Sequence, residues 1–496
     1  MIKVLPVKTV RLADQYTIKN EPISSLALME RASLKAFEWI TARFPDTEKP
    51  FDIFCGTGNN GGDGMVISRL LDEAGYAVNT YLIEFSDHYS DDLAHNLGKC
   101  KEVKLLREEE FDFTLQEESV IIDAIFGSGL SRAVEGFTGQ IIERLNESKR
   151  RIISVDMPSG LFADIPSARG PIIKATHCLS FQFPKLAFLM PQNQEYVSNF
   201  SILDINLHAE FIKSAECAHF FLSAQDAASM VKKREAFAHK GDHGRAFLIA
   251  GSKGKMGAAV LASRACMRAG VGLLTTQVPA CGYEIMQTAI AEAMVEVDLG
   301  EAHLSEVKPK VRFDAIGVGP GIGTHEETQQ FLKQLIQLNN SPMLIDADAL
   351  NMLSENKTWL SFLPRGCIFT PHPGEFKRLA GDWSDDFERL ELLRDFAVKH
   401  GQFVVLKGRF TSIACPDGRI YFNPSGNEGM ATAGSGDVLS GIITGLLAQG
   451  YASEQAALLG VYLHGLAGDI AAERYGKRAM IAGDIVDCIP EAYQRM

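Results

Sequence analysis

The N-terminal half of the chain alternates short apolar runs with stretches of helical periodicity. FDIFC (51–55), NTYLIEF (79–85), SVIIDAIFG (119–127) and RIISVDMPSG (151–160) have the continuous apolar character of buried parallel strands. Between them, VISRLLDEAG and GQIIERLNES carry apolar residues three and four positions apart, which is the spacing of an amphipathic helix. This alternation predicts an α/β fold with a doubly wound parallel sheet.

The C-terminal half repeats this alternation with unrelated sequence. Six further runs predict strands: RAFLIAG (245–251), LLTTQVP (273–279), DAIGVGPG (314–321), MLIDADAL (343–350), CIFTPHPGE (367–375) and QFVVLKG (402–408). SIACPDGRIYF (412–422) predicts a hairpin around Asp417-Gly418. The segment 206–244 contains no strong strand pattern. We therefore expect two α/β domains, 1–214 and 224–496, with the boundary near 214–224.

Composition narrows the functional class. The chain has 496 residues, 46% hydrophobic and 22% charged, with a net charge of −13. A strongly acidic chain is a poor general binder of nucleic acid or anionic membranes, so neither partner is expected. The nine cysteines are scattered without a C-x-x-C pair, the N-terminus lacks the apolar core of a signal peptide, and VLSGIITGLLAQG is too short to span a bilayer. These features predict a cytoplasmic protein.

The stretch CGTGNNGGDG (55–64) joins a predicted strand to a predicted helix and contains the G-x-G-x-x-G dinucleotide pattern. Its glycines allow main-chain N–H groups to approach an anion at a helix start. Amide and carboxylate oxygens from Asn59, Asn60 and Asp63 suit a hard cation or a polar ligand group. A tight turn with capping residues is the alternative. The pattern leaves open whether the nucleotide is a redox cofactor or the substrate.

Two carboxylates accompany that loop. Asp123 and Asp156 lie at the ends of neighbouring predicted strands, whose carboxyl ends share one edge of the sheet. Gly127-Ser128-Gly129 predicts a second anion-binding turn. Asp156 precedes the rigid Met157-Pro158 bend and is a candidate general base, with an Asx turn as its alternative role.

The C-terminal stretch NPSGNEGMATAGSGDVLSGIITGLLAQG (423–450) carries the strongest signal in the chain. Gly434-Ser435-Gly436 predicts a cluster of N–H donors at a helix N-terminus, with Asp437 in the first turn. Phosphoryl transfer needs such donors and a base for the incoming hydroxyl. Simple helix capping is the alternative for Asp437. Lys407 in LKGRFT and His372 in TPHPGE follow other predicted strands and are supporting candidates.

The ordered motifs resemble the bifunctional NAD(P)H-hydrate repair enzymes. GNNGGDG, DAIFGSGLSR, DMPSG, KGDHGRAFLIAGSKGKMGAA, GVGPGIG, TPHPGEF, LKG and NEGMATAGSGDVLSGII occur in the family's order over nearly the whole chain. The resemblance implies a Rossmann-like NAD(P)HX epimerase domain followed by a ribokinase-like NAD(P)HX dehydratase domain. The resemblance implies that the dinucleotide bound at the first glycine loop is the substrate and not a redox cofactor. That substrate would be NADH or NADPH damaged by hydration.

The resemblance also implies site residues. The epimerase substrate would contact Asn59, Asn60, Gly61, Gly62, Asp63, Gly127, Ser128, Gly129, Leu130, Ser131, Arg132, Ala133 and Asp156. Asn60, Asp123 and Ser159 would hold K⁺. The dehydratase substrate would contact Ala258, Gly321, His372 and Asp437. ADP or ATP, with Mg²⁺, would bind Lys407, Gly408, Arg409, Phe410, Thr411 and Gly436. Asp156 and Asp437 would be the catalytic residues, and a homo-oligomer is expected.

Three stretches depart from the family pattern: Ala133-Val134 replaces a common proline, SFQFPKLAFLMP (180–191) is unusually apolar, and Arg409-Phe410 replace small residues. None removes a proposed catalytic group. The main alternative is a ribokinase-like kinase for a small alcohol or vitamin, with an accessory nucleotide-binding domain. A second alternative is an oxidoreductase, in which Glu84 would bind a ribose and a second substrate would exchange hydride with the nicotinamide. A third is a nucleotide-sensing scaffold, in which Asp156 and Asp437 would have no catalytic role.

Overall fold

The computed structural model describes residues 1–307 and 313–496, which form two compact units. One unit comprises Lys3–Cys217 with Asp385–Phe387. The other comprises Met1–Ile2, Ala218–Ser384 and Glu388–Met496. The α/β class predicted for both halves is confirmed, while the division of two activities between 1–214 and 224–496 stays a prediction.

The N-terminal unit is built on a seven-stranded parallel sheet in the order β4-β3-β2-β5-β6-β7-β8. After the short β1 (Ile2–Lys3), which belongs to the other sheet, these strands are β2 (Phe51–Cys55), β3 (Val78–Ile83), β4 (Lys104–Leu106), β5 (Val120–Ala124), β6 (Ile152–Val155), β7 (His177–Phe181) and β8 (Phe200–Leu203). The strand order reverses between β2 and β5. Such a reversal opens a crevice at the carboxyl ends of the strands, where ligands bind in α/β sheets.

Both faces of this sheet are covered. Ile53 and Ile122 belong to one buried cluster, while Phe54 and Ile121 belong to another, as the alternation of side chains along a strand requires. The helices of this part of the chain are α1 (Val7–Asn20), α2 (Ser25–Arg43), α3 (Asn59–Glu73), α4 (Asp91–Leu97), α5 (Gly136–Glu147) and α6 (Ala209–Ser214).

The second sheet has eleven strands in the order β1-β9-β18-β17-β16-β15-β14-β13-β10-β11-β12. Its other strands are β9 (His219–Phe221), β10 (Arg245–Ile249), β11 (Leu273–Val278), β12 (Met294–Val297), β13 (Ala315–Val318), β14 (Met343–Ile345), β15 (Ile368–Phe369), β16 (Phe403–Leu406), β17 (Ser412–Ala414) and β18 (Ile420–Phe422). Strands β10 to β16 pair in parallel, and β17 and β18 form the predicted antiparallel hairpin. Strand order reverses between β10 and β13.

The helices of the C-terminal part are α7 (Ala224–Met230), α8 (Met256–Arg268), α9 (Tyr283–Ala289), α10 (Glu326–Leu338), α11 (Ala347–Glu355), α12 (Pro373–Ala380), α13 (Asp386–His400), α14 (Ser435–Ala448), α15 (Ser453–Tyr475) and α16 (Ala482–Arg495). Helix α14 packs closely on α8: a β-carbon at Gly441 would lie 2.0 Å from the Ala262 carbonyl oxygen. Small residues therefore fix the position of α14. Within the described ranges, no helix combines the length and apolarity needed to cross a bilayer.

Three predictions about secondary structure were wrong in part. The strands predicted at 343–350 and 367–375 end at Ile345 and Phe369, because α11 and α12 begin within those runs. Pro373 occupies the first turn of α12, where its missing N–H is not needed. Segment 206–244 does contain a strand, β9, which pairs with β18 and is too short for a periodic signal.

Candidate functional site

The first glycine loop, after β2, is packed against its neighbours at the strand-order reversal. A β-carbon at Gly56 would lie 2.1 Å from the Ile125 carbonyl oxygen, and one at Gly61 would lie 1.9 Å from the Gly56 carbonyl oxygen. These glycines are thus required by close backbone approach. Gly58 caps α3 and has no heavy atom within 4 Å of its β-carbon position, so this side of the loop is open. A ligand could therefore approach the N-terminus of α3 over Gly58.

The three residues predicted to hold a cation lie together. A β-carbon at Gly127 would lie 3.3 Å from the Asn60 side chain. Ser159 Oγ accepts from Phe126 N at 2.8 Å and donates to Asp123 Oδ1 at 2.5 Å. The backbone of residues 126–127 therefore connects Asn60 to the Asp123–Ser159 pair.

Asp123 is fully buried and surrounded by neutral donors. Its carboxylate accepts from Ser154 Oγ at 2.7 Å and from Ser159 N at 2.9 Å. Burial raises the pKa of Asp123, and these hydrogen bonds oppose that rise. The buried Nδ2 of Asn60 has no hydrogen-bond partner among the described residues. Buried oxygens and an amide without a protein partner are the features of a site that a cation or a polar ligand can complete.

Asp156 follows β6 in a left-handed conformation, with φ of 63°. Its Oδ1 accepts from Lys185 Nζ at 2.7 Å, and its Oδ2 accepts from Ser128 N at 3.2 Å. Burial alone would raise the pKa of Asp156, but Lys185 and the Ser128 hydrogen bond bring the pKa below its usual value. Asp156 is therefore held ionised beside the Gly127–Gly129 turn.

Sequence reasoning missed Lys185. It lies in the apolar run 180–191, and its side chain is only 2% exposed. Its ammonium also donates to Ser180 Oγ at 3.1 Å. The signal in the sequence was a lone lysine within a strongly apolar run, since a buried lysine requires a partner.

The other predicted epimerase residues surround this pair. Asn59, Gly61, Gly62 and Asp63 form the first turns of α3, and Asp63 accepts from Ser33 Oγ at 3.0 Å. Burial raises the pKa of Asp63 well above its usual value. The turn that contains Leu130, Ser131, Arg132 and Ala133 continues from Gly129 and is mostly exposed. Glu84, which an oxidoreductase would need free, is engaged by Tyr89 and Arg107.

The second site lies where strand order reverses between β10 and β13. Gly321 has a φ of 65°, and a β-carbon there would lie 2.9 Å from Ala258 Cβ. Ser252 Oγ donates to the Gly321 carbonyl oxygen at 2.7 Å. Two predicted substrate residues, Ala258 and Gly321, are therefore in contact at this crevice.

Helix α14 begins directly after Gly434, which has a left-handed conformation with a φ of 89°. Asp437 is the third residue of the helix and lies in its first turn. Burial raises the pKa of Asp437 to about 6, Asp346 adds to the rise, and Lys407 opposes it. The first N–H groups of a helix have no intrahelical acceptor. A carboxyl with a pKa of about 6 thus lies in a helical turn whose main-chain N–H groups lack intrahelical acceptors, although Ser435 N donates to the Thr432 carbonyl oxygen at 3.4 Å. This is the arrangement predicted for a base and an anion site.

Lys407 connects this helix start to buried acids. Its Nζ donates to Asp346 Oδ1 at 3.1 Å, and a β-carbon at Gly436 would lie 3.4 Å from the same Nζ. Ser440 Oγ donates to Asp346 Oδ2 at 2.6 Å. Glu375 Oε2 lies 4.0 Å from Lys407 Nζ. The ammonium is one-quarter exposed and can meet a ligand at the N-terminus of α14.

The remaining candidates occupy nearby loops. His372 caps α12 by accepting from Gly374 N at 3.0 Å, and its side chain is 53% exposed. Gly408 and Thr411 form hydrogen bonds to each other across a short turn that contains Arg409 and Phe410.

Sequence reasoning also missed His464, whose Nε2 lies 3.3 Å from Ser435 Oγ. Burial lowers the pKa of His464 to about 4, so it is neutral at physiological pH.

Two family profiles match the chain. Residues 25–187 match the YjeF-related protein N-terminus, and residues 246–491 match NAD(P)H-hydrate dehydratase. Curated relatives of the chain carry the name bifunctional NAD(P)H-hydrate repair enzyme, and two of them serve as examples. The relative from Moorella thermoacetica is 37% identical, and the match covers 96% of this chain and 94% of the relative. The relative from Escherichia coli is 34% identical, with 92% and 87% covered.

Solved structures of other proteins resemble the C-terminal part. One of them is the ADP/ATP-dependent NAD(P)H-hydrate dehydratase from Bacillus subtilis, crystallised with ATP and Mg²⁺. The two chains are 30% identical with a TM-score of 0.50, and the match covers 56% of this chain and 98% of the other. A ribokinase-like superfamily protein from Enterococcus faecalis is 28% identical, with a TM-score of 0.50 and coverage of 56% and 96%.

Proposed function

The chain belongs to the bifunctional NAD(P)H-hydrate repair enzymes, and on that premise we propose that it restores hydrated NADH and NADPH in two steps. The N-terminal unit interconverts the R and S forms of NAD(P)HX. The C-terminal unit dehydrates the S form with ADP, or less readily ATP, and releases phosphate. The observation that carries the proposal is similarity over the whole length of relatives with this name, with one crevice at the strand-order reversal of each sheet.

In the dehydration step, Asp437 takes the proton of the ring hydroxyl. The oxygen then attacks the terminal phosphoryl group of the nucleotide, whose charge is stabilised by the amides of Gly434–Gly436 and by Lys407. The P–O bond to the rest of the nucleotide breaks with its electrons on oxygen, so AMP leaves from ADP, or ADP leaves from ATP. The phosphorylated oxygen leaves with its electron pair as phosphate, and a proton leaves the neighbouring ring carbon, which restores the double bond. A carboxyl that ionises near pH 6 supports this role, because it is mostly ionised at neutral pH yet basic enough to accept a proton.

In the epimerisation step, Asp156 moves protons at the hydroxyl-bearing ring carbon. Lys185 and Ser128 N keep its carboxylate ionised and fixed in orientation. The Gly127–Ala133 turn and the start of α3 hold the nucleotide through main-chain donors. Support comes from the position of Asp156 beside that turn.

The oxygen-rich donor set fits K⁺, which Asn60, Asp123 and Ser159 would hold. The amide of Asn60 is buried without a partner among the described residues, and reversing it would present an oxygen to the cation. When bound, K⁺ supplies positive charge beside the buried Asp123 and fixes the two glycine turns. Mg²⁺ would arrive with the nucleotide phosphates. A cytoplasmic location and a homo-oligomer belong to the same proposal: the first rests on the scattered cysteines and the N-terminal sequence, and the second rests on the family resemblance.

The decisive experiment supplies the purified protein with S-form hydrate and ADP or ATP. We expect the near-ultraviolet absorbance of the reduced nicotinamide to return, with one free phosphate released for each nucleotide restored. A kinase for a small alcohol would instead leave a stable phosphorylated product and unchanged hydrate. Adding R-form hydrate tests the first activity, because the R form is consumed only if it is first converted to the S form.

A further inference from the structure

Helix α1 lies against the first site, although no sequence motif places it there. Val7 N donates to Asp164 Oδ2 at 2.8 Å, and the Val7 side chain packs against the buried cluster that includes Met157, the residue after Asp156. A β-carbon at Gly129 would lie 2.4 Å from Arg11 Nη2. The start and middle of α1 are thus positioned against the end of β6 and the Gly127–Gly129 turn.

The far end of the helix is fixed as well. The buried Thr17 Oγ1 accepts from His208 N at 2.9 Å and donates to the Ala13 carbonyl oxygen at 2.8 Å. A helix held at both ends presents the same face to the site in every molecule. This face includes positions 7, 11 and 14, which are spaced four and three residues apart.

Asp14 lies on that face and is partly buried. Its carboxyl makes no hydrogen bond or ion pair with any residue that the structure describes. It lies within electrostatic range of Asp156, Lys185 and Asp63, which come from the end of β6, the segment after β7 and α3. A partly buried carboxyl without such a partner is available to a ligand in the same crevice.

The charges of this cluster do not balance. Three carboxyl groups, Asp14, Asp63 and Asp156, lie within electrostatic range of one another, and the buried ammonium of Lys185 is paired with Asp156. Burial, reinforced by the charge of Asp156 and opposed by Lys185, raises the pKa of Asp14 to about 7. The pKa of Asp156 is lowered instead, so at neutral pH Asp14 can hold a proton that Asp156 lacks. Neighbouring groups whose pKa values are separated in this way are suited to acid and base roles.

We propose that Asp14 is the catalytic acid of R/S exchange and acts with Asp156 as its base. The inference rests on the proposed epimerase function. In the hydrate the hydroxyl is on a carbon bonded to the ring nitrogen. Asp14 gives its proton to that hydroxyl, the C–O bond breaks with its electrons on oxygen, and water leaves. The nitrogen lone pair forms a C=N bond, so the carbon becomes planar.

Water then adds to either face of this planar carbon. The new C–O bond forms from a water lone pair, the C=N electrons return to nitrogen, and Asp156 accepts the proton released by the water. The net result is an inverted or retained hydroxyl and one proton moved from Asp14 to Asp156. Exchange with solvent restores both groups.

The test compares wild type, Asp14→Asn and Asp14→Glu by chromatographic separation of the R and S forms between pH 5.5 and 9, after subtraction of the enzyme-free rate. We expect the wild-type rate to fall as pH rises through about 7, because Asp14 loses its proton. Asp14→Asn should be slower by ~10²-fold or more and should lack that decline, since loss of a general acid has this effect. Asp14→Glu should recover part of the rate and the decline.

Gln15→Ala, an exposed change on the same helix, should match wild type. Dehydration of the pure S form, which belongs to the other unit, should be unchanged in Asp14→Asn. The variant should also keep the far-ultraviolet circular dichroism of wild type and its cooperative unfolding transitions in denaturant, which shows that the N-terminal unit is folded. The inference is overturned if Asp14→Asn exchanges R and S at the wild-type rate, or is slow but keeps the decline near pH 7. If wild type itself fails to exchange the two forms, the proposed epimerase function is wrong, and this inference fails with it.

Discussion

Replacing Asp437 by asparagine should remove dehydration while making the protein more stable at alkaline pH. The pKa of Asp437 is raised from 3.8 to about 6, first by burial and then by Asp346. A group with a raised folded-state pKa stabilises the fold fully below its unfolded pKa, and this stability is lost as pH rises through about 6. At pH 8 the wild type therefore carries a carboxylate that the fold disfavours.

The size of this effect follows from the shift. About two pKa units correspond to about 3 kcal/mol, and solvent screening of a partly exposed group reduces this to about 1–2 kcal/mol. The asparagine side chain is neutral at every pH, so Asp437→Asn should be more stable than wild type by that amount at pH 8 and by little at pH 4. Loss of a general base should lower the dehydration rate by ~10²–10⁴-fold.

The assay combines denaturant unfolding at pH 4 and pH 8 with dehydration of S-form hydrate. Asp484→Asn is the matched control, because Asp484 also lies in the first turn of a helix, where it accepts from Ile481 N at 2.8 Å. It should keep full activity and gain no stability at pH 8. The reasoning is refuted if Asp437→Asn retains wild-type turnover, or if it loses activity together with stability, as a helix cap would.

Three further changes test the two sites. Asp156→Asn should slow R/S exchange and leave dehydration of pure S substrate unchanged; equal exchange rates would contradict its role. Lys407→Met should weaken nucleotide binding in calorimetry and cost about 3–5 kcal/mol of stability, because Asp346 would remain buried without its cation; unchanged values for both would contradict the pairing. Gly434→Ala should destabilise the protein by at least ~1 kcal/mol, because the Gly434 backbone is left-handed and an added β-carbon would lie 2.5 Å from Leu261 Cδ1. Gly483→Ala is the control and should not destabilise the protein, because a β-carbon at Gly483 would have no heavy atom within 4 Å.

The sequence predicts strands well where an apolar run is bounded by turn residues. FDIFC coincides with β2, and the hairpin around Asp417-Gly418 has the predicted partners, with Ala414 opposite Ile420. Strand β9, with three residues, carries too little pattern to be distinguished from a loop, and the two-residue β15 is predicted only as the start of the longer run 367–375. Helices that begin directly after a strand, as α11 does, are hidden because the apolar run continues across the boundary.

The candidate site likewise contains some residues that sequence motifs predict and others that only the fold reveals. Asn60, Asp123 and Ser159 are brought together as their motif positions imply, because each lies at or just beyond the end of a strand of one parallel sheet. Lys185 and Asp14 could not be found in that way. Lys185 is assigned by its burial against Asp156: a lone lysine in an apolar run signals burial but does not name the partner. Asp14 is assigned by the packing of α1, which has no local sequence signature. Residues that act through tertiary contacts require the fold to be known.

The most direct test of repair is to follow S-form hydrate, nucleotide and phosphate together in a single reaction with the intact chain. Our account predicts that reduced nicotinamide and free phosphate appear in equal amounts, and that Asp437→Asn produces neither. A stable phosphorylated hydrate, or consumption of the nucleotide without return of the reduced ring, would contradict it.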